Sequence, residues 1–579
     1  MYASVAEAGE TGDLRGKVAD EAGQAIAGAT VTVSGPSLAG VRTAVTADDG
    51  TFRIFSLPPG AHEVMAEATD HQPVRMLVTV RLDETVSIPV TLTESTIQEV
   101  VVVEAEQPVI DATRSAISTE LDNELLQSLP VGRGYQAAVN ILPGVYGRVD
   151  TDAGGPGAGN PSVRGEGEYG NNTYIDGIST RDPATKTFAM DLQYDTIESI
   201  QVYTDGAPAE FGQATGMMVN VVTKDGGDEH HGTVGAYYSQ HAWFDSEYDI
   251  LSLEEGEEVP TRKRTFNNIE IPLTVGGPIV KEKLWYYAAL SLGRNSGLLE
   301  GADPETDDPR LTYSGAGFGK LTWFPTPDLT FQYQINVDGM RRNNLNNPLL
   351  YAQEAQQDRR DLSMGHILTA KWRPYATGEF ELKASYLDNY INVVPSSGTK
   401  DDPQFHNIET GEYYGNSDNY DYNDRTRMGA ALDFTQLLEN VGGDHRIKAG
   451  VEFWRTYNAR DLQQTGAVAG LDGLIYSVAP DAGLPCDTDE DGDGLFDNCA
   501  GLQGRLDVGE IGNTTRLYSG FLQDDWAPID TLTLNLGFRL DVEQAINNAG
   551  DTVYTQFLPA PRTGLAWDVT GDSKTLVSA

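Results

Sequence analysis

The chain reads as a mostly β protein in three parts: an N-terminal β-sandwich, a small α/β domain, and a partial antiparallel transmembrane β-barrel. Short alternating strands recur at roughly 10-residue spacing over residues 12–94. A Gly- and Asp-rich segment of mixed character follows. From His230 onward, longer hairpins alternate apolar and polar residues with period two, as strands with two unlike faces do. A compact insert lying between a β module and a strand array predicts a plugged barrel.

The 579 residues carry a formal charge of −46. That balance argues against nucleic-acid binding, which needs a cationic footprint to displace phosphate counterions. It fits a solvated acidic surface or an outer face that attracts cations. No stretch reaches the roughly 20 apolar residues of a membrane helix. Barrel strands are individually too weakly apolar for that test to bear on them. Residues 1–11 form a tail, MYASVAEAGET, without the basic and apolar regions of a signal peptide, so Met1 is expected within or beyond a truncated leader.

Residues 12–94 hold seven strand candidates: LRGKVAD, ATVTVSG, RTAVTAD, TFRIFSL, HEVMAEA, VRMLVTV and TVSIPVTL. Turns such as Asp48-Asp49-Gly50 and Pro58-Pro59-Gly60 separate them, the pattern of a sandwich. The series GKVADEAGQAIAGATVTV and TADDGTFRIFSLPPGAHEV resembles the carboxypeptidase regulatory-like domain. Phe52 and Phe55 are its only Phe, Tyr or Trp residues, a poor platform for stacking sugars.

The linker, residues 95–110, contains Thr96-Ile97-Gln98-Glu99-Val100-Val101-Val102-Val103. Four consecutive valines favour extended backbone and cannot be amphipathic. Two readings stand: one more buried strand of the sandwich, or a segment that adds to a partner's sheet. By its place, the segment is similar to the TonB box of TonB-dependent outer-membrane receptors. The resemblance implies that Thr96, Ile97, Glu99 and Val100 to Val103 contact a periplasmic TonB-type energy-coupling protein.

Residues 111–228 form the α/β domain. Asp122 is placed to cap a short helix in which Leu121, Leu125, Leu126 and Leu129 share a face, ended by Pro130. GYQAAVNILPGV gives a second helix. SVRG, NTYIDGI, IESIQVYT and MMVNVVTK are strands. The order LPGV, SVRG, YIDG, IESIQV, AEFGQATGMMVNVVTKDG resembles the plug domain of the same receptors, and AEFGQATGMMVNVVTK resembles their Oar-type subgroup. The resemblance implies gate positions at Arg164, Gly165, Asp176 and Gly177. The family's arginine-glycine pair after the IxxIxV strand is replaced by Thr204-Asp205-Gly206. Since such plug arginines pair with glutamates on the inner wall, the lock is expected to be weaker or built differently.

In residues 229–579, Leu329, Phe331, Tyr333 and Ile335 fall on one face, opposite Thr330, Gln332, Gln334 and Asn336. Leu532, Leu534, Leu536, Phe538, Leu540 and Val542 likewise oppose Thr531, Thr533, Asn535, Arg539 and Asp541. Strands of about 10 to 14 residues suit a tilted membrane crossing. Tight links at residues 324–328 and 374–379 alternate with long loops at 295–310, 338–362, 394–425 and 457–514. Trp285-Tyr286-Tyr287, Trp323-Phe324 and Trp526 suit interfacial girdles. About 13 strands are expected, against the 22 of plugged transporter barrels. An open barrel edge in lipid is not viable, so the chain is expected to be C-terminally incomplete.

No catalytic constellation occurs, and no enzyme activity is expected. The loop CDTDEDGDGLFDNC places Asp487, Asp489, Asp491, Asp493 and Asp497 at mostly alternate positions, with glycines for the turn. Hard oxygen donors so spaced suit Ca²⁺, and the loop resembles a thrombospondin type-3 repeat. Cys486 and Cys499 flank it as an expected disulfide. The leading expectation is a TonB-dependent receptor in the outer membrane of a Gram-negative bacterium. It would sit in outer-membrane lipid and take up an exogenous ligand such as a siderophore, cobalamin, glycan or peptide. A non-transporting surface or adhesion protein and a soluble carbohydrate-binding β-protein are the alternatives.

Overall fold

The computed structural model describes residues 11–82, 84–94, 101–104, 114–129, 133–147, 161–163, 166, 168–182, 184–186, 190–240, 243, 266–298, 308–346, 350–375, 377–402, 404–407, 411–466, 474–478, 501–504, 509–529, 531–571 and 575–579. Eight strands build the N-terminal sandwich. They are β1 (Gly12–Asp20), β2 (Thr30–Gly35), β3 (Leu38–Val45), β4 (Thr51–Leu57), β5 (Gly60–Glu67), β6 (Val74–Val80), β7 (Thr85–Leu92) and β8 (Val101–Glu104). One sheet runs β4-β1-β7 and the other β3-β2-β5-β6-β8. Alternate residues of each strand point inward, so Leu14, Val18, Val31, Val33, Ile54, Val64, Val78 and Ile88 form a closed apolar core. The valine-rich run is part of this sandwich: β8 pairs in parallel with β6, Val101 opposite Val74 and Glu104 opposite Leu77. Of the two readings of that run, the additional strand is the one adopted by Val101–Glu104.

The α/β domain follows with β9 (Ile117–Asp122), α1 (Asn123–Ser128), α2 (Tyr135–Val139), β10 (Val145–Gly147), β11 (Pro161–Val163), β12 (Asn172–Ile175), β13 (Ile178–Ser179), β14 (Ile197–Asp205) and β15 (Met218–Thr223). Its main sheet runs β13-β12-β15-β14-β9. Asp122 caps α1, its carboxylate accepting from the Leu125 amide at 2.8 Å, which satisfies a donor with no partner inside the helix. Leu121 and Leu126 are buried but Leu125 is 41% exposed, so the leucine face predicted for α1 is narrower than expected. Leu125 and Leu126 stand about 100° apart around the helix axis, so a narrow contact buries only one of them.

Residues 231–578 contribute a 14-stranded sheet, antiparallel at every strand pair. His231–Val234 and Tyr237–Gln240 both pair with Phe266–Val280. The longest strands, Asp444–Gln464 and Gly509–Ile529, each have 21 residues. They exceed the expected 10 to 14 because pairing continues past the membrane thickness into what reads in sequence as loop. The predicted loop 457–514 thus begins inside one strand and ends inside the next.

Which face is which decides between a membrane barrel and a soluble sandwich. Along Leu532–Asn547, Leu536, Phe538 and Leu540 are exposed, while Thr533, Arg539 and Asp541 are buried. Along Leu329–Arg342, Tyr333 is exposed, and Thr330, Gln334 and Asn336 are buried. Val451, Leu382, Leu432 and Leu522 are also exposed to the outside. A soluble sheet turns its apolar face to the core; here the polar face is interior, as lipid requires. Trp323 stacks on Phe331 with ring centroids 5.5 Å apart, and Trp372 on Phe380 at 5.6 Å, near the short-turn rim. Trp285 and Tyr287 do not belong to this girdle. The pleat turns both inward, where they are 1% and 2% exposed. The Trp285 indole donates to Asp228 at 2.9 Å, and the Tyr287 hydroxyl to the Asp195 carbonyl at 3.0 Å.

Candidate functional site

The α/β domain stands inside the sheet and shares a hydrophobic core with its wall: Leu121, Tyr135, Ile200, Val202 and Val219 pack with Tyr287, Phe318 and Leu387. Around that core the contacts are polar, and they define the site.

After β14 the chain turns at Gly206, whose φ of +66° suits glycine. The Gly206 amide donates to the Asp205 carboxylate at 2.9 Å, so Asp205 serves the turn. The residues beyond, 207–212, lie against the wall, and here the wall supplies the arginines. Arg562 donates to the carbonyls of Ala207 and Phe211, each at 2.7 Å, and also to that of Pro208. Arg539, 1% exposed, donates to the Glu210 carbonyl at 2.8 Å while bound by Glu452 and Asp541, each at 2.9 Å. The Glu210 carboxylate meets Lys448 at 3.0 Å, with both side chains 1% exposed. Gly212 leaves room for this approach, since a Cβ there would lie 2.4 Å from the Arg539 Nε and push the guanidinium aside. Phe211, fully buried, anchors the segment against Tyr174 and Tyr203 at 5.1 and 5.4 Å. Burial pushes the Tyr174 hydroxyl up to about 12, so at neutral pH it remains a donor, bonding the Gly212 carbonyl at 3.1 Å.

The same sense recurs elsewhere. Arg425 on the wall pairs with Asp182 at 2.8 Å, and Lys320 lies 3.4 Å from Asp225 and 3.9 Å from Asp176. Asp176, at φ +45°, and Gly177, at φ +73°, form the tight turn between β12 and β13. The Asp176 carboxylate accepts from the Thr223 amide at 2.9 Å and hydroxyl at 2.6 Å. Arg133 keeps the opposite sense, reaching Glu270 of the wall at 3.3 Å and also pairing with Asp195. Among the described residues the junction between insert and wall therefore runs mainly from wall cations to the insert. Cations on the barrel grip carboxylates and carbonyls on the insert, and Glu452 takes its arginine from the neighbouring wall.

Of the other predicted site residues, Arg164, Gly165, Thr96, Ile97, Glu99, Val100, Cys486, Cys499, Asp487, Asp489, Asp491, Asp493 and Asp497 lie outside the described residues. The acidic loop is bracketed by Leu474–Val478 and Gly501–Gly504, which pair antiparallel. Phe405–Asn407 pairs in parallel with Leu474–Val478, so two outer loops share one small sheet. That Arg539, Arg562 and Lys448 meet the segment around Glu210 escaped the sequence reading. A basic residue at an inward-facing strand position was the one available signal.

Three family models match in succession: the carboxypeptidase regulatory-like domain over residues 13–93, the TonB-dependent receptor plug domain over 110–218, and an outer membrane beta barrel domain over 370–576. The chain thus carries a TonB-dependent receptor plug domain followed by an outer membrane beta barrel domain, and its place is the outer membrane of a Gram-negative bacterium. In particular it is similar to the TonB-dependent transporter Oar of Myxococcus xanthus, 30% identical over 306 residues, or 50% of this chain and 27% of that protein. Among solved structures it resembles the outer membrane transporter YddB from Escherichia coli, with TM-score 0.59 and 14% identity over 80% of this chain and 60% of that one. It also resembles the ferric citrate transporter FecA in the unliganded form, with TM-score 0.54 and 14% identity over 80% and 64%. The chain spans about a quarter of the length of the curated relative it matches.

Proposed function

We propose that the protein takes up a scarce or large solute across the outer membrane, driven by a TonB-type partner that pulls on residues 96–104. One observation carries this reading. The plug packs against the polar face of the 14-stranded sheet and is joined to it by discrete hydrogen bonds and ion pairs around a modest apolar contact. Such contacts hold a closed state yet can be exchanged for water when the plug moves. The solute would meet the plug from the long-loop side, and the work is binding and displacement, without catalysis. Siderophores, cobalamin, glycans and peptides all remain open as cargo. Deleting residues 96–104 should abolish energised uptake by whole cells and leave surface binding intact; unchanged uptake would sink the proposal.

A second reading, a surface or adhesion protein whose barrel displays loops without transport, is favoured by the outer sheet joining Phe405–Asn407 to Leu474–Val478. Equal accumulation of labelled solutes with and without the coupling partner would support it. The carboxylates of residues 486–499 are proposed to hold Ca²⁺ and so order that outer sheet, with Cys486 and Cys499 closing the loop.

A further inference from the structure

The sandwich does not trail from the plug as a free module. Among the described residues it meets the wall on the short-turn rim, at three separated places among others. Arg42 donates to the carbonyl of Pro327, in a short turn, at 3.5 Å. The Ser56 hydroxyl donates to both oxygens of Glu379, at 3.0 and 3.1 Å, and Glu379 is held by Arg373 at 3.2 Å. Asp13, fully buried, pairs with Arg53 of its own domain at 3.1 Å and faces Arg446 of the wall at 3.7 Å. Ser56 adopts φ +58°, a backbone that residues other than glycine seldom take, and that turn delivers its hydroxyl to the rim.

The sandwich also seats on the plug. The Leu82 carbonyl accepts from Arg114 at 2.9 Å and Gln201 at 3.3 Å, and its amide donates to Glu120 at 3.3 Å. Pro36 approaches Gly227 so closely that a Cβ there would lie 2.9 Å from the Pro36 carbonyl oxygen. Between sandwich, plug and wall remains a cavity of about 390 Å³, with Arg15, Arg114, Arg562 and Asn535 in its lining. Burial alone would raise the Asp13 carboxyl, but Arg446 and Arg53 outweigh it and hold it below the usual range.

We propose that the regulatory-like sandwich is a lid latched across the short-turn mouth of the barrel, and that it must undock before the plug can leave. The lid also carries β8 in its own sheet. Force applied to the Val101–Glu104 segment would therefore reach the lid before the plug. That order of events rests on the function proposed above; the docked lid itself does not.

The test uses the whole protein with Cys486→Ser and Cys499→Ser, adding Ser56→Cys and Glu379→Cys. These are joined by a short cleavable bis-thiol reagent. In planar bilayers the probe is ion conductance as urea is added on the short-turn side to loosen the plug. The uncross-linked protein and each single cysteine variant should open. The cross-linked protein should lose this opening and regain it when the linker is cut. Opening that is indifferent to the cross-link overturns the lid, as does failure of the two cysteines to cross-link in the resting protein. Absence of energised uptake in cells would overturn the transport reading and leave this result standing.

Discussion

Glu210→Gln tests the junction between plug and wall at a fully buried ion pair. The substitution preserves size and the amide contact with Gln523 at 3.0 Å, but removes the charge facing Lys448 at 3.0 Å. Both side chains are 1% exposed, so water screens the pair little. Breaking a buried ion pair by removing one partner costs about 3–5 kcal/mol. At about 1.4 kcal/mol per factor of ten, the docked-to-undocked ratio of the plug should fall by roughly two to three and a half powers of ten. Hydrogen exchange of the residue-210 and Ser115 amides, which donate to Gln523 and Asn535 of the wall, reads this ratio in the detergent-solubilised receptor when reclosing is fast relative to exchange. Exchange should accelerate by that factor in Glu210→Gln. The double variant Glu210→Gln, Lys448→Met, which leaves neither charge behind, should recover most of the protection. Unchanged exchange in the single variant, or no recovery in the double, would refute the claim that this pair holds the plug.

The remaining predictions concern pH, lipid and metal. Desolvation pushes the Asp191 carboxyl up to about 7, with the Glu270 charge adding to it. An undocked plug would return it to the ordinary carboxylate range near 4. The docked state then binds the proton more tightly, so docking should weaken as pH rises from about 4 to about 7 and level off above. Asp191→Asn should flatten that dependence in the same exchange experiment. Val451, 56% exposed and mid-strand on the outer face, should tolerate leucine. As Val451→Arg it should cost about 2–4 kcal/mol of barrel stability in a lipid-bilayer unfolding titration. Chelation of Ca²⁺ should raise protease cleavage between residues 479 and 500, and replacing Asp489 and Asp491 by Asn should make cleavage insensitive to the chelator.

Much of this architecture is legible in residues because period-two alternation survives any register. Leu536, Phe538 and Leu540 against Arg539 and Asp541 announce a two-faced strand directly. What alternation cannot give is the sign of the faces, since Leu536 would look the same in a soluble core. The burial of Arg539 settles it. Trp285 misled because an aromatic triplet at a strand start matches a girdle, yet one-residue steps reverse direction, and position 285 points to Asp228. The Val101–Glu104 run carried both its readings in sequence, since the same β-branched backbone suits an internal or a partner sheet. Its pairing with β6 depends on a long-range register that no local pattern encodes. The wall-to-plug cations were hidden for a similar reason: Lys448 and Glu210 are brought together by tertiary structure alone.

The central claim is that the plug closes a lumen which would otherwise conduct. Single-channel recording of the receptor in planar bilayers tests it directly, comparing the whole protein with one lacking residues 110–228. The whole protein should be silent, and the plug-deleted form should show large, steady, ohmic conductance. Silence from a correctly inserted plug-deleted form, or equal conductance from the two, would contradict it.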